Sequence, residues 1–181
     1  MTGESRPGRA ARISPCAGTR MCAARTKGQA DALRIRRVRA DDIPQVTALD
    51  KRVTGVAKAP YWRDVFTRYG RRRPRERFFL VAEPAARDAG RQLLGFIIGE
   101  VRAWEFGSAP CGWIFALSVD QGARLRGVGE ALLEAISAEF MKSGVTKVRT
   151  MVARSDRLPM LFFRGAGMVA GPYIQLEMDL G

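Results

Sequence analysis

From Leu33 onward the apolar and polar positions fall into alternating and helical blocks. LRIRRVR (33–39) alternates as a strand, and Ala40-Asp41-Asp42 with Pro44 then opens a helix through about Arg52, with Ile43, Val46 and Leu49 at helical spacing. A second helix is predicted over 61–69, stopped by the basic run Arg71-Arg72-Arg73-Pro74-Arg75. RFFLVAE (77–83) and QLLGFIIGEVRAWEF (92–106) read as a hairpin joined through the turn-forming residues 84–90. Beyond the loop 107–112, residues 113–119 predict a strand with Trp113, Phe115, Leu117 and Val119 on one face. A helix over 127–143 follows, its stripe Val128, Leu132, Ala135, Ile136 and Phe140, with Gly144 as terminator. TKVRTMVA (146–153) predicts a strand, Ser155 a cap for a short helix over 157–166 ended by Gly167, and YIQLEMDL (173–180) a last alternating strand. The order β-α-α-β-β-β-α-β-α-β is that of an α/β fold with a mixed central sheet.

Residues 1–30 show no such pattern. They are rich in Gly, Ala, Arg, Ser and Thr and hold no aromatic residue, so they cannot bury enough surface to offset the entropy of ordering. The pattern predicts a disordered basic extension over 1–30 and one folded domain over 31–181. Met21 is an alternative start, and the Arg-rich opening superficially resembles an organelle transit peptide.

Composition narrows the chemistry. The chain has no histidine, which removes Ser-His-Asp and Cys-His triads, imidazole bases and histidine-based zinc sites. Cys16 and Cys22 fall in the extension and Cys111 alone lies in the domain, so neither a disulfide set nor a metal cluster is expected. A reducing, cytoplasmic setting is the expectation, and no apolar run approaches the roughly 20 residues that span a bilayer. The net charge of +13 favours anionic ligands. No aromatics interleave with the arginines of 71–77, so nucleic acid ranks last among anionic partners.

The most informative segment joins the strand 113–119 to the next helix. Val119 to Leu133 reads V-D-x-x-x-R-x-x-G-x-G-x-x-L-L. Glycines let backbone approach a ligand closely, and a helix starting there aims unpaired N–H groups and its positive dipole end at an anion. A Walker A loop is excluded because no Lys-Ser/Thr follows the glycines, and a Rossmann loop because Leu132 occupies the third glycine position.

In this order of elements, Arg124-Leu125-Arg126-Gly127-Val128-Gly129 matches the Q/R-x-x-G-x-G/A phosphate loop, and the domain resembles the GCN5-related N-acetyltransferase (GNAT) superfamily. Phe162-Phe163-Arg164-Gly165-Ala166-Gly167-Met168 resembles its later F-Y-x-x-x-G-F element with two substitutions. The resemblance implies a GNAT-type mixed sheet flanked by helices, and acetyl-CoA as co-substrate without a metal. It implies that the diphosphate lies on the backbone of Arg124, Leu125, Arg126, Gly127, Val128 and Gly129. The strand before the loop would splay at a bulge, and Leu117 and Val119 would pair with the pantetheine arm. The acceptor would be an amine attacking the thioester directly. Glu100 and Glu105 are the candidate bases, expected on opposite strand faces, with Glu105 preferred for its place near the strand's open end. Family members often carry a tyrosine where Phe163 stands to protonate the leaving sulfur; Phe163 cannot, and Tyr173 or water is the expected substitute. In the family the segment before the second strand borders the acceptor, so Arg71, Arg72 and Arg73 would favour negatively charged acceptors. A homodimer through the last strands is a further expectation.

Overall fold

The computed structural model describes residues 33–86 and 92–180; the extension over 1–30 lies outside the described residues. Among them, β1 (Leu33–Arg37), β2 (Arg77–Pro84), β3 (Gly95–Arg102), β4 (Cys111–Val119) and β5 (Val148–Thr150) form one sheet in that spatial order. Neighbouring strands from β1 to β4 pair antiparallel, and β5 runs parallel to β4. The helices are α1 (Ile43–Thr54), entered through a 3-10 turn at Ala40–Asp42; α2 (Ala59–Val65), which continues into a π-helical turn at Phe66–Arg71; α3 (Val128–Lys142); and α4 (Arg157–Gly165).

Residues 78–82 are buried without interruption because both faces of β2 are covered. Phe79 and Val81 pack with Val46, Leu49, Trp62 and Val65 from α1 and α2. Phe78 and Leu80 pack with Leu132, Ile136 and Phe140 from α3. Phe140 fits because glycine faces it: a Cβ on Gly112 would lie 2.5 Å from its ring. Gly144 ends α3 as expected: at φ +77 its N–H bonds Met141 O, while Val145 N–H bonds Phe140 O.

An ion network fixes the start of α1 to the sheet. Arg36 Nη1 donates to Asp42 Oδ2 at 2.6 Å and Arg36 Nη2 to Glu83 Oε2 at 2.7 Å. Burial alone would raise the Asp42 carboxyl, but hydrogen bonds from the Arg36 guanidinium and the Arg39 backbone N–H outweigh it and hold it below its ordinary value. The Arg36 hydrogen bond likewise lowers Glu83.

Several expectations change. Residues 173–180 form no strand: Ile174, Leu176, Met178 and Leu180 alternate but are all more than 80% exposed. Alternation says which side chains share a face; a ladder also needs a neighbouring edge and a layer to cover the apolar row. The strand expected over 146–153 shortens to Val148–Thr150, and α4 starts after Asp156 without a side-chain cap from Ser155. β3 ends at Arg102, because Trp104 turns into the left-handed region at φ +61. Trp113 and Leu117 do not share a face: a bulge intervenes, leaving Trp113 opposite Glu100 and Leu117 opposite Ile97.

Candidate active site

The bulge builds the site. Ile98 pairs with Ala116 but Gly99 pairs with Ile114, so Phe115 is an extra residue in β4. On its other side β4 pairs with β5 only through Gly112, Trp113 and Ile114. Residues 115–119 therefore present an edge to which β5 adds no ladder. A cleft of about 630 Å³ opens there, lined by residues 114–119, 150–153, Phe162 and Phe163, by Asp50 and Trp62 of the helical layer, and by Arg124, Leu125 and Gly127 to Glu130.

The loop that leads into α3 turns sharply. Leu125 (φ +61) and Gly127 (φ +76) both take left-handed backbone, and Gly127 is the N-cap of α3. The first intrahelical bond runs from Ala131 N–H to Gly127 O at 3.0 Å, so the N–H groups of Val128, Gly129 and Glu130 have no acceptor within the helix. Asp120 steadies the turn before it: Oδ1 accepts Gly122 N–H at 3.0 Å, and Oδ2 meets Arg52 Nη2 of α1 at 2.5 Å. Arg124 and Arg126 are both exposed, but only Arg124 lines the cleft. Leu117 and Val119 line it too. Gly129 has a use the sequence did not disclose, since a Cβ there would stand 2.9 Å from the Phe162 ring.

The candidate bases lie apart from the cleft lining. Glu100 meets Arg77 at 3.4 Å and Arg102 at 3.1 Å, with its side chain 16% exposed. Glu105 sits in the turn after β3 and meets Arg102 at 3.8 Å. The two are joined through one arginine rather than divided between two strand faces, because the strand ends before Glu105. Burial and the neighbouring Glu100 carboxylate raise the Tyr69 phenol, partly offset by Arg77 and Arg102. Tyr69 in turn packs on Phe115, with ring centroids 4.8 Å apart. Phe163 is buried in the cleft wall and packs edge-on against Phe162 at 5.1 Å. Tyr173 lies under the Arg149 guanidinium at 4.8 Å and does not line the cleft. Residues 71–76 are exposed and do not line it either.

Asp50 was missed by sequence reasoning. It lies on α1, is buried, and accepts Trp62 Nε1 at 3.0 Å. The signal was present, as a carboxylate one turn beyond Val46 and directly after Leu49 on the apolar stripe. Among the described residues no group of three or more carboxylates or cysteines is arranged to hold a metal ion, and no helix is long and apolar enough to cross a membrane.

Comparison with known proteins agrees with this geometry. Residues 43–164 match the acetyltransferase (GNAT) family. Solved structures of similar fold include an aminoglycoside acetyltransferase from an uncultured soil metagenomic sample, in complex with sisomicin, at 17% identity and TM-score 0.64, covering 84% of this chain and 99% of that one. Aminoglycoside N-acetyltransferase AAC(6')-Iy in complex with CoA is similar at 13% identity and TM-score 0.69, over 81% of this chain and 94% of that one. Glucosamine-6-phosphate N-acetyltransferase from Arabidopsis thaliana is similar at 16% identity and TM-score 0.64, over 82% and 99%. No curated protein matches the sequence. The chain belongs to the GNAT acetyltransferase family, whose members use acetyl-CoA.

Proposed function

We propose that the chain transfers the acetyl group of acetyl-CoA directly to a primary amine, whether a protein N-terminus, a lysine or a small-molecule amine. The observation that carries this reading is continuity: the open edge of residues 115–119 leads into a loop whose helix N-terminus offers free N–H groups. The diphosphate lies on the backbone of Arg124, Leu125, Arg126, Gly127, Val128 and Gly129, with Arg124 adding a charge-assisted contact. The pantetheine arm runs along the edge as an added strand, taking backbone bonds at Leu117 and Val119.

The chemistry needs little from side chains. Backbone N–H groups on the edge polarise the thioester carbonyl as its oxygen gains charge. The amine adds to the carbonyl carbon, the tetrahedral adduct collapses, the C–S bond breaks, and the amine proton passes to solvent or a base. A lysine-type amine costs about 4–5 kcal/mol to neutralise at pH 7, and a protein N-terminus only about 1. Glu105, or Glu100, outside the cleft lining, receives that proton through a relay of water molecules. With Phe163 in place of a hydroxyl, sulfur leaves as thiolate at a cost of about 2 kcal/mol at pH 7.

Phe163 also favours a second reading, a catalytically weak acyl-CoA-binding module that senses or regulates. The exposed row Ile174, Leu176, Met178 and Leu180 supports self-association through the C-terminal segment. An acetyl-CoA-consumption screen over peptide N-termini, lysine peptides, polyamines and aminoglycosides separates the first two readings: turnover with any amine supports the transferase, and acetyl-CoA binding without turnover supports the sensor.

A further inference from the structure

Asp50, in the lining of the cleft, is paired with the ammonium group of Lys58. Asp50 lines the cleft although its side chain is only 10% exposed. Trp62 Nε1 donates to its Oδ2 at 3.0 Å and holds the carboxylate in place. Lys58 Nζ, from the loop 55–58 between α1 and α2, meets the same oxygen at 3.0 Å and stands 6.0 Å from the centroid of the Tyr61 ring. A fixed carboxylate beside an aromatic face is a set of contacts suited to an ammonium group. Both contacts fall on Oδ2, and no described residue hydrogen-bonds Oδ1.

A second observation comes from β4. Ser118 Oγ is buried with no hydrogen-bond partner among the described residues, and Ser118 lines the same cleft. Ser118 pairs with Phe96, whose ring meets Trp62 edge-on at 5.1 Å, so the hydroxyl belongs to the α1 side of the sheet, where Asp50 lies. A buried hydroxyl without a partner is unfavourable unless a bound molecule supplies one. Of the charged residues lining the cleft, Asp50, Glu130 and Asp156 are acidic and Arg124 is basic, while the arginines of 71–75 do not line it.

Building on the acetyltransferase reading, we propose that Asp50, with Tyr61 and Trp62, binds a second ammonium group of the acceptor. The substrate class is then an amine bearing at least two ammonium groups, one reacting at the thioester and the other displacing Lys58 from Asp50. Lys58 is suited to leave: it sits on a loop, and its side chain is 39% exposed. The exchange replaces one ammonium by another, so the buried carboxylate is never left unpaired.

The test uses α,ω-diamines of three to eight carbons against monoamines of matched length, by steady-state kinetics and by calorimetric binding to the CoA-loaded protein. The best diamine is expected to exceed its matched monoamine at least tenfold in kcat/KM. Asp50→Asn removes that preference through KM, with kcat little changed. Lys58→Met, which keeps the Trp62–Asp50 bond, lowers KM for the diamine severalfold and tightens its calorimetric binding. Equal kcat/KM for diamine and monoamine in the wild type overturns the proposal. So does a diamine preference that survives Asp50→Asn, or a diamine KM unmoved by Lys58→Met. Acetyl-CoA affinity, measured separately on each protein, reports on the acetyltransferase reading alone.

Discussion

Gly129, in the first turn of α3, lies so close to Phe162 of α4 that a Cβ on it would stand 2.9 Å from Cε2 and 3.3 Å from Cζ of that ring. The first turn of α3 is thus packed onto the helix that carries the aromatic pair. Gly129→Ala should displace Phe162 and cost about 1–3 kcal/mol of stability, as overpacking does. Chemical denaturation measures this, and calorimetry should show weaker acetyl-CoA binding in the same variant. Unchanged stability would mean that the ring moves aside freely.

Glu130 presents a carboxylate within the first turn of α3, and its Oε2 lies 3.5 Å from where a Gly127 Cβ would be. Next to a bound diphosphate this is a like charge. Glu130→Gln should tighten acetyl-CoA binding about threefold to tenfold at low salt, with the gain shrinking as ionic strength rises. Calorimetric titrations at two salt concentrations check it. An affinity that falls would show that Glu130 orients the loop rather than opposing its ligand.

The Arg36 network predicts a defined acid sensitivity. Asp42 and Glu83 are both held below their ordinary values, so they contribute stability that is complete above the unfolded carboxylate range, near pH 4. That stability is lost as pH falls through the depressed folded values. Arg36→Met leaves the buried Asp42 with only the Arg39 backbone N–H and Glu83 with only Arg34 at 3.8 Å, and should cost about 3 kcal/mol at pH 7. Asp42→Asn should flatten the decline of stability below pH 4. Urea denaturation at pH 7, 4 and 3 measures both, and an acid limb unchanged by Asp42→Asn would contradict the assignment.

Phe163→Tyr tests the leaving group. A phenol at this buried cleft position would protonate the departing sulfur and remove part of the roughly 2 kcal/mol cost of thiolate release. If that departure limits turnover, kcat rises about tenfold while acetyl-CoA affinity stays constant. A kcat that does not move would assign the slow step elsewhere.

The two carboxylates should separate by phenotype. Glu105→Gln should lower kcat for lysine-type amines by about 10²-fold and have less effect on N-terminal amines, which ionise near neutrality. Glu100→Gln removes the carboxylate that Arg77 and Arg102 share, leaving Arg102 only Glu105, and should lower stability more than kcat. Parallel pH–rate profiles and melting curves distinguish them; the reverse pattern would make Glu100 the base.

Most elements were legible because local periodicity and long-range packing agree. Val128, Leu132, Ile136 and Phe140 form a stripe in the sequence and a buried row in the fold, and Gly144 ends the helix in the left-handed region as its position suggested. The loop at 124–129 was legible because glycine spacing and a following amphipathic helix are local signals. What failed depends on partners far away in sequence. Residues 173–180 alternate, but alternation carries no information on a neighbouring edge. The face of Trp113 depended on a bulge opposite Ile98 and Gly99, which no repeat in β4 announces. Glu105 was assigned to a strand that Trp104 ends. Asp50 was overlooked because its meaning comes from Trp62 and Lys58 on a different segment.

A crystal structure of the protein with CoA tests the central claim most directly. Diphosphate oxygens should lie within hydrogen-bond distance of backbone nitrogens in the 124–130 turn, with the pantetheine arm bonded along residues 115–119. A diphosphate bound elsewhere on the molecule, or an edge at 115–119 occupied by protein in the complex, would contradict it.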